Sequence, residues 1–206
     1  MKKMMLLGAL LLSAAAGYAQ ESRQDVSISG TYFFAPEIHG AGATKLDTTT
    51  TLGLLASYRF MLTPRSALEV NYGFSQEGYK YTISAYGLTN PVRIHARAQE
   101  LSGAYVYNMN FHRYNPFVEA GPGAIIFTPI TDASTTFKTG KQNINIGAVF
   151  GGGVAYELSP SFDIRAEYRG FLVKTPDFGF NSGSLDLSIK RYEVISTPSI
   201  GIAYHF

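Results

Sequence analysis

The residues best placed to do chemistry form the run Asp163-x-Arg165-x-Glu167-x-Arg169, in which acid and base alternate at every second position. Side chains two residues apart on an extended strand leave the same face, so these four charges share one side of one element. The same parity in other segments adds Arg59, Glu69, Glu119, Glu157 and His205, with Glu100 near one end of its own segment. An enclosed face tolerates such charges only when they are paired or hydrated. The expected chemistry is therefore a salt-bridge network, with Arg59, Glu69, Glu119, Asp163, Arg165, Glu167 and Arg169 as its members. A second reading stays open. Six carboxylates (69, 119, 157, 163, 167 and 100) face three arginines, a balance that would suit a narrow path for small cations.

Other chemistries find little support. Acyl hydrolysis needs a nucleophile beside a base, but His39, His95 and His112 are followed two positions on by Ala41, Arg97 and Tyr114, and His205 by the end of the chain. No catalytic residue is assigned and no enzyme is expected, an acyl-lipid hydrolase being the remote exception. Gly151-Gly152-Gly153 falls inside a strand-like segment, whereas a phosphate cradle needs its glycines just ahead of a helix. His, Asp and Glu are not spaced as metal ligands. No metal or cofactor is expected.

What must position these charges is legible in the alternation around them. Leu68, Val70, Tyr72 and Phe74 point one way, and Glu69, Asn71, Gly73 and Ser75 the other. Equivalent patterns cover Val26 to Phe34, Leu52 to Phe60, Leu101 to Met109, Val118 to Ile126, Ile144 to Tyr156, Phe162 to Leu172 and Val194 to Phe206, giving eight strands and no amphipathic helix. Short turns at Leu62 to Arg65, Asn110 to Asn115 and Leu158 to Ser161 alternate with long connections near residues 35–51, 76–92, 128–143 and 174–192. Pro122 and Pro198 interrupt the fifth and eighth strands, where a missing N–H breaks a ladder bond. A bulge at Gly121-Pro122-Gly123 would absorb the first; Pro198 leaves the register of the last strand open.

The N-terminus reads as an export signal. Lys2 and Lys3 precede an apolar run, Met4 to Ala16, and the small-residue pattern Gly17-Tyr18-Ala19 predicts cleavage after Ala19. That removal takes two basic residues, leaving 15 Lys+Arg against 15 Asp+Glu, so the mature chain is formally neutral. It carries no basic stripe of the kind nucleic acid requires. With Cys 0, stability must come from backbone pairing and packing.

Alternation alone does not say which face is enclosed. A water-facing side should be bulky and charged, yet the face opposite the apolar one is rich in small residues, including Gly121, Gly123, Gly147, Gly151, Gly153, Ser27 and Ser29. Small residues suit a narrow barrel interior. Aromatics gather at strand ends, with Tyr58, Phe60, Tyr107, Phe111, Tyr156, Phe162, Tyr204 and Phe206 near the short turns, and Tyr32, Phe34, Phe74 and Tyr79 towards the long connections. Girdles of this kind mark the two interfaces of a membrane barrel.

The eight amphipathic segments, the signal, the pattern Ile200-x-Ile202-x-Tyr204-x-Phe206 and the stretch Asn115 to Gly123 resemble the small OmpA/OmpX and opacity-type outer-membrane barrels. That resemblance implies an assembly signal in Ile202, Tyr204 and Phe206 for the barrel-assembly machinery. The expectation is thus an all-β protein: a signal peptide over 1–19, then an eight-stranded antiparallel up-and-down transmembrane β-barrel over 20–206. It sits in the outer membrane as a monomer, its lumen largely occluded and four loops outside. Its partners are outer-membrane lipid, the assembly machinery and a surface ligand taken by the loops at Thr44 to Thr51, Tyr79 to Val92 and Thr131 to Gln142.

Overall fold

The computed structural model describes residues 24–34, 38–39, 44–49, 51–85, 88–130, 141–176, 178 and 192–206. The expected signal segment and much of the third and fourth long connections fall outside these residues. The strands are β1 (Gln24–Phe33), β2 (Ile38–His39), β3 (Thr44–Thr49), β4 (Thr51–Thr63), β5 (Ser66–Ala85), β6 (Leu88–Asn108), β7 (Tyr114–Ile130), β8 (Asn143–Ser159), β9 (Phe162–Lys174) and β10 (Tyr192–His205).

β1 pairs with both β4 and β10, and a β5–β6 pairing joins the remaining ends. The eight longest strands therefore close on themselves, leaving no exposed sheet edge among them. The β2–β3 hairpin is added outside this ring, on the upper part of β5. Burial alternates along each barrel strand in the sense opposite to that of a soluble protein. Ile28, Leu52 and Ile146 are 62%, 77% and 78% exposed, while Glu69 and Arg169 are 1% exposed. Charges lie inside and the large apolar side chains outside. Transfer of each such apolar side chain out of water is worth about 1.5–3 kcal/mol, so the exposed band accounts for a lipid environment where a soluble fold would be penalised.

Two of the expected loops are strands. Residues 44–49 form β3, paired from Thr44↔Ile83 to Thr49↔Gly78, and residues 76–92 continue the β5–β6 hairpin as far as Ala85↔Leu88. The local sequence Tyr79-Lys80-Tyr81-Thr82-Ile83 is composed mainly of aromatic and β-branched strand formers. Its polar outward positions mark where the wall leaves the membrane rather than where the strand stops.

The prolines are accommodated without an inserted residue. Pro122 pairs normally towards β8, opposite Ala148, but the β6–β7 ladder lacks the pairs that would join Gly103 and Ala104 to Pro122 and Gly121, and it resumes in the same register at Tyr105↔Ala120. The expected bulge is absent because the missing N–H faces β6 and the ladder simply opens there. Close approach of the two backbones dictates the residue beside it, since a Cβ at Gly121 would lie 1.9 Å from the Gly103 carbonyl oxygen.

Pro198 has a similar explanation. The β1–β10 ladder runs to Thr31↔Ser199 and is next made at Phe34↔Ser196, where each backbone N–H donates to the other's carbonyl. Two residues on from Ser196, Pro198 directs its missing N–H to that same gap. The Thr31 hydroxyl donates to the Pro198 carbonyl at 3.2 Å. The last strand keeps continuous pairing with β9 throughout, including Pro198↔Tyr168.

Candidate functional site

Among the described residues, the lumen gathers the sequence-predicted charges. Arg59 on β4 donates from Nε to Glu69 Oε2 on β5 at 2.5 Å, along the cross-strand pair Arg59↔Glu69. From β9, Arg165 Nη1 lies 3.6 Å from that same oxygen, and Nη2 donates to Asp25 Oδ1 on β1 at 3.1 Å. The Phe117 ring of β7 lies against both guanidiniums, at 4.6 Å from Arg59 and 5.7 Å from Arg165, within cation–π range. Ser27 accepts a further bond from Arg165 Nη1 at 3.3 Å.

One register step further from the short turns, Arg169 gathers the other acids. Its Nη2 donates to Glu100 Oε1 and to the Ser102 hydroxyl, both on β6. Its Nε lies 3.1 Å from Glu119 Oε1 and 3.3 Å from Glu167 Oε1, charge contacts in which the N–H is aligned with neither oxygen. At the mouth near the short turns, His205 Nε2 is 2.8 Å from Asp163 Oδ2. All seven predicted members of the network are buried.

Two members of the wider set change. Glu157 shares the inward parity but is exposed beside the register shift that ends β8, so it takes no part. Asp25 replaces it. The sequence places Asp25 two residues before Ser27, on the same face, and extending the first strand by one residue would have included it. The carboxylate excess persists and grows, with Asp25, Glu69, Glu77, Glu100, Glu119, Asp163, Glu167 and Glu193 buried against Arg59, Arg165 and Arg169 among the described residues.

The lumen is not polar throughout, however. Towards the long connections, Phe33, Ile94, Phe127, Phe171, Val173 and Ile195 form an apolar layer with Tyr79. Tyr79, expected in the outer girdle, is instead 2% exposed and sits edge-on to Phe127 and Phe178, with ring centroids 5.9 and 5.4 Å away. Phe178 reaches in from the segment following β9. A smaller cluster of Ala67, Val106 and Phe117, with Met61 against it, lies nearer the short turns. The arginine-centred network thus lies below an apolar layer that also holds the buried carboxyls of Glu77 and Glu193, and the small Phe117 cluster flanks its lower end on β5 to β7. Glycines on β7 and β8 make room for the bulk: added Cβ atoms at Gly123 and Gly147 would lie 2.8 and 2.9 Å from the Phe171 ring, and one at Gly153 would lie 2.8 Å from the Phe117 ring.

The expected assembly residues sit at the opposite surface. Ile202 and Tyr204 face outwards, and Phe206 is half-buried. Tyr204 packs between Phe162 and Phe206, at 5.1 and 6.1 Å between ring centroids, while the Phe206 N–H donates to the Gln24 carbonyl at 3.0 Å. Among the described residues no group of three or more His, Cys, Asp or Glu side chains is arranged to hold a metal.

Known proteins match this geometry. The sequence model for the outer membrane protein beta-barrel domain matches residues 5–206. Among solved structures, the outer membrane protein OprG of Pseudomonas aeruginosa aligns with a TM-score of 0.62 at 12% identity, covering 91% of this chain and 97% of that one. Neisserial surface protein A aligns with a TM-score of 0.57 at 15% identity, over 90% and 98%. The outer membrane protein AlkL, solved in lipid bilayers, aligns with a TM-score of 0.55 at 20% identity, over 93% and 94%. These likenesses are of fold. No curated protein matches the chain.

Proposed function

The chain belongs to the outer membrane protein beta-barrel domain family, and from that premise we propose that it is an occluded barrel, serving envelope structure or surface contact through its external end. Its place is the outer membrane, where the exposed apolar band meets lipid. The observation that carries the reading is the filled lumen: Arg59, Arg165 and Arg169 are tied to carboxylates from five different strands, and above them Phe33, Ile94, Phe127, Phe171, Val173 and Ile195 pack around Tyr79, beside the buried carboxyls of Glu77 and Glu193. An eight-stranded interior is only wide enough for side chains to fill. Function then falls to the external end, where the β5–β6 wall exposes Gln76, Lys80, Arg93 and Arg97. No catalytic role is assigned.

The competing reading, a cation-preferring path, draws on the carboxylate excess. Planar-bilayer recordings of the refolded mature chain decide between them. The occluded barrel is expected to give no discrete conductance steps; reproducible cation-selective steps, lost in Glu119→Gln or Glu167→Gln, would establish the pore instead.

The assembly role of the last residues is part of the same proposal and rests on the outward row Ile202, Tyr204 and Phe206. Deleting Phe206 should sharply lower the fraction inserted by the assembly machinery in reconstituted vesicles while leaving spontaneous refolding in detergent close to wild type. Equal losses in the two assays would assign Phe206 to stability alone.

A further inference from the structure

Two enclosed carboxyls stand above the arginine network and take no part in it. Glu77 on β5 and Glu193 on β10 are each 4% exposed, and Glu193 pairs with Val173, two inward positions beyond Arg169 on β9. The buried cations among the described residues, Arg59, Arg165 and Arg169, are engaged by acids lower in the lumen. Lys80, Arg93, Arg97 and Lys174 all occupy exposed positions. We propose that Glu77 and Glu193 bind a hard divalent cation, calcium, inside the external end of the barrel.

Glu193 is the first argument. Neither of its carboxyl oxygens has a hydrogen-bond partner, and it lies within electrostatic reach of Glu77. Glu77 is already organised: its Oε1 accepts from the Ser75 hydroxyl at 3.1 Å, and its Oε2 from the Tyr79 hydroxyl. Enclosing a carboxylate without a counter-charge is costly, and two facing each other compound the cost. One divalent ion balances both. The donors are carboxyl and hydroxyl oxygens throughout, the set that suits calcium, whose coordination number and geometry are permissive, rather than a transition metal. Two carboxylates fall short of a three-acid cluster, so hydroxyls and water complete the shell and the affinity belongs to the weak, millimolar class.

Access is the second. Beside β5 the ladder passes from Gly53↔Ser75 on β4 to Thr49↔Gly78 on β3, and Gln76 and Glu77 have no partner on that side among the described residues. A cavity of about 300 Å³ lies at this break, with Glu77, Thr49, Thr51, Gln76 and His95 in its lining. The lining joins outward positions such as Gln76 to the inward Glu77, which makes the break the route by which a hydrated ion reaches the pair. This inference does not depend on whether the lumen conducts.

The test titrates the refolded mature barrel, held in nanodiscs of phosphatidylcholine, with terbium, a calcium surrogate whose emission nearby tyrosine sensitises. Wild type is expected to give saturable emission that calcium displaces with an apparent dissociation constant of about 0.1–1 mM and that potassium leaves in place. Glu77→Gln or Glu193→Gln should weaken calcium at least about tenfold, since each removes one of the two charges. Glu157→Gln, at an exposed carboxylate near the short turns, should leave it unchanged. Tyr79→Phe should dim the emission while calcium still raises the urea unfolding midpoint as in wild type. Both Gln variants remove an enclosed charge, so their calcium-free midpoints should equal or exceed that of wild type, and calcium should raise neither. No calcium binding in wild type would overturn the proposal and leave the pair protonated; unchanged affinity in either Gln variant, or displacement of terbium by potassium at equal concentration, would overturn it as well.

Discussion

Replacing Arg169 with leucine is expected to destabilise the folded barrel by about 3–5 kcal/mol, the cost typical of removing one partner from a buried ion pair. Arg169 is 1% exposed and faces Glu100, Glu119 and Glu167 at once, so its loss leaves three carboxylates enclosed without a cation. The measurement is the urea midpoint of the chain in lipid vesicles, followed by tyrosine fluorescence. A compensated variant separates charge from packing: Arg169→Leu combined with Glu100→Gln and Glu119→Gln should recover more than half of the loss. Changes below about 1 kcal/mol in Arg169→Leu would mean that water or counter-ions already neutralise these acids, and the plugged lumen would then be the wrong description.

The second large effect lies on the opposite face. Ile28 stands midway along β1, pairs with Ala56 and Ile202, and is 62% exposed in the isolated chain. Ile28→Lys is expected to cost about 2–4 kcal/mol in a bilayer, the penalty of a basic side chain at the membrane midplane on a barrel's lipid face. In a soluble protein the same substitution at so exposed a site would fall within about 0.5 kcal/mol of neutral. The vesicle unfolding midpoint therefore discriminates between these environments, and an unchanged midpoint would remove the lipid-facing assignment.

Much of the fold could be read from the chain because a strand's side-chain period is two and the two faces here meet different surroundings. Leu68 to Ser75 alternates without interruption, and the observed burial follows it residue by residue. The same parity, taken further, would have revealed the apolar layer. Phe171 and Val173 continue the inward row of Arg165, Glu167 and Arg169, and Ile125 and Phe127 continue that of Glu119. The strands read from the sequence, Val118 to Ile126 and Phe162 to Leu172, already held Ile125 and Phe171 and stopped one residue before Phe127 and Val173. Attending only to the inward charges, and treating Tyr79 as an interfacial aromatic, concealed a lumen that becomes largely apolar towards the long connections. Polar composition misled in the other direction at 76–85, where Gln76 and Lys80 are outward residues of a wall that has left the membrane.

The sequence by itself determined the number of barrel strands, the orientation of each face and the inward parity of seven charged residues, because these depend only on local periodicity and on which side chains tolerate lipid. Tertiary structure alone decided who meets whom. Arg165 reaches Asp25, 140 positions away in the chain, because closing the sheet brings β9 and β1 to opposite sides of β10. The β1–β10 seam, with its gap beside Pro198, and the Arg165–Asp25 contact arise from that closure, which brings together residues far apart along the chain and so leaves no mark in the local pattern.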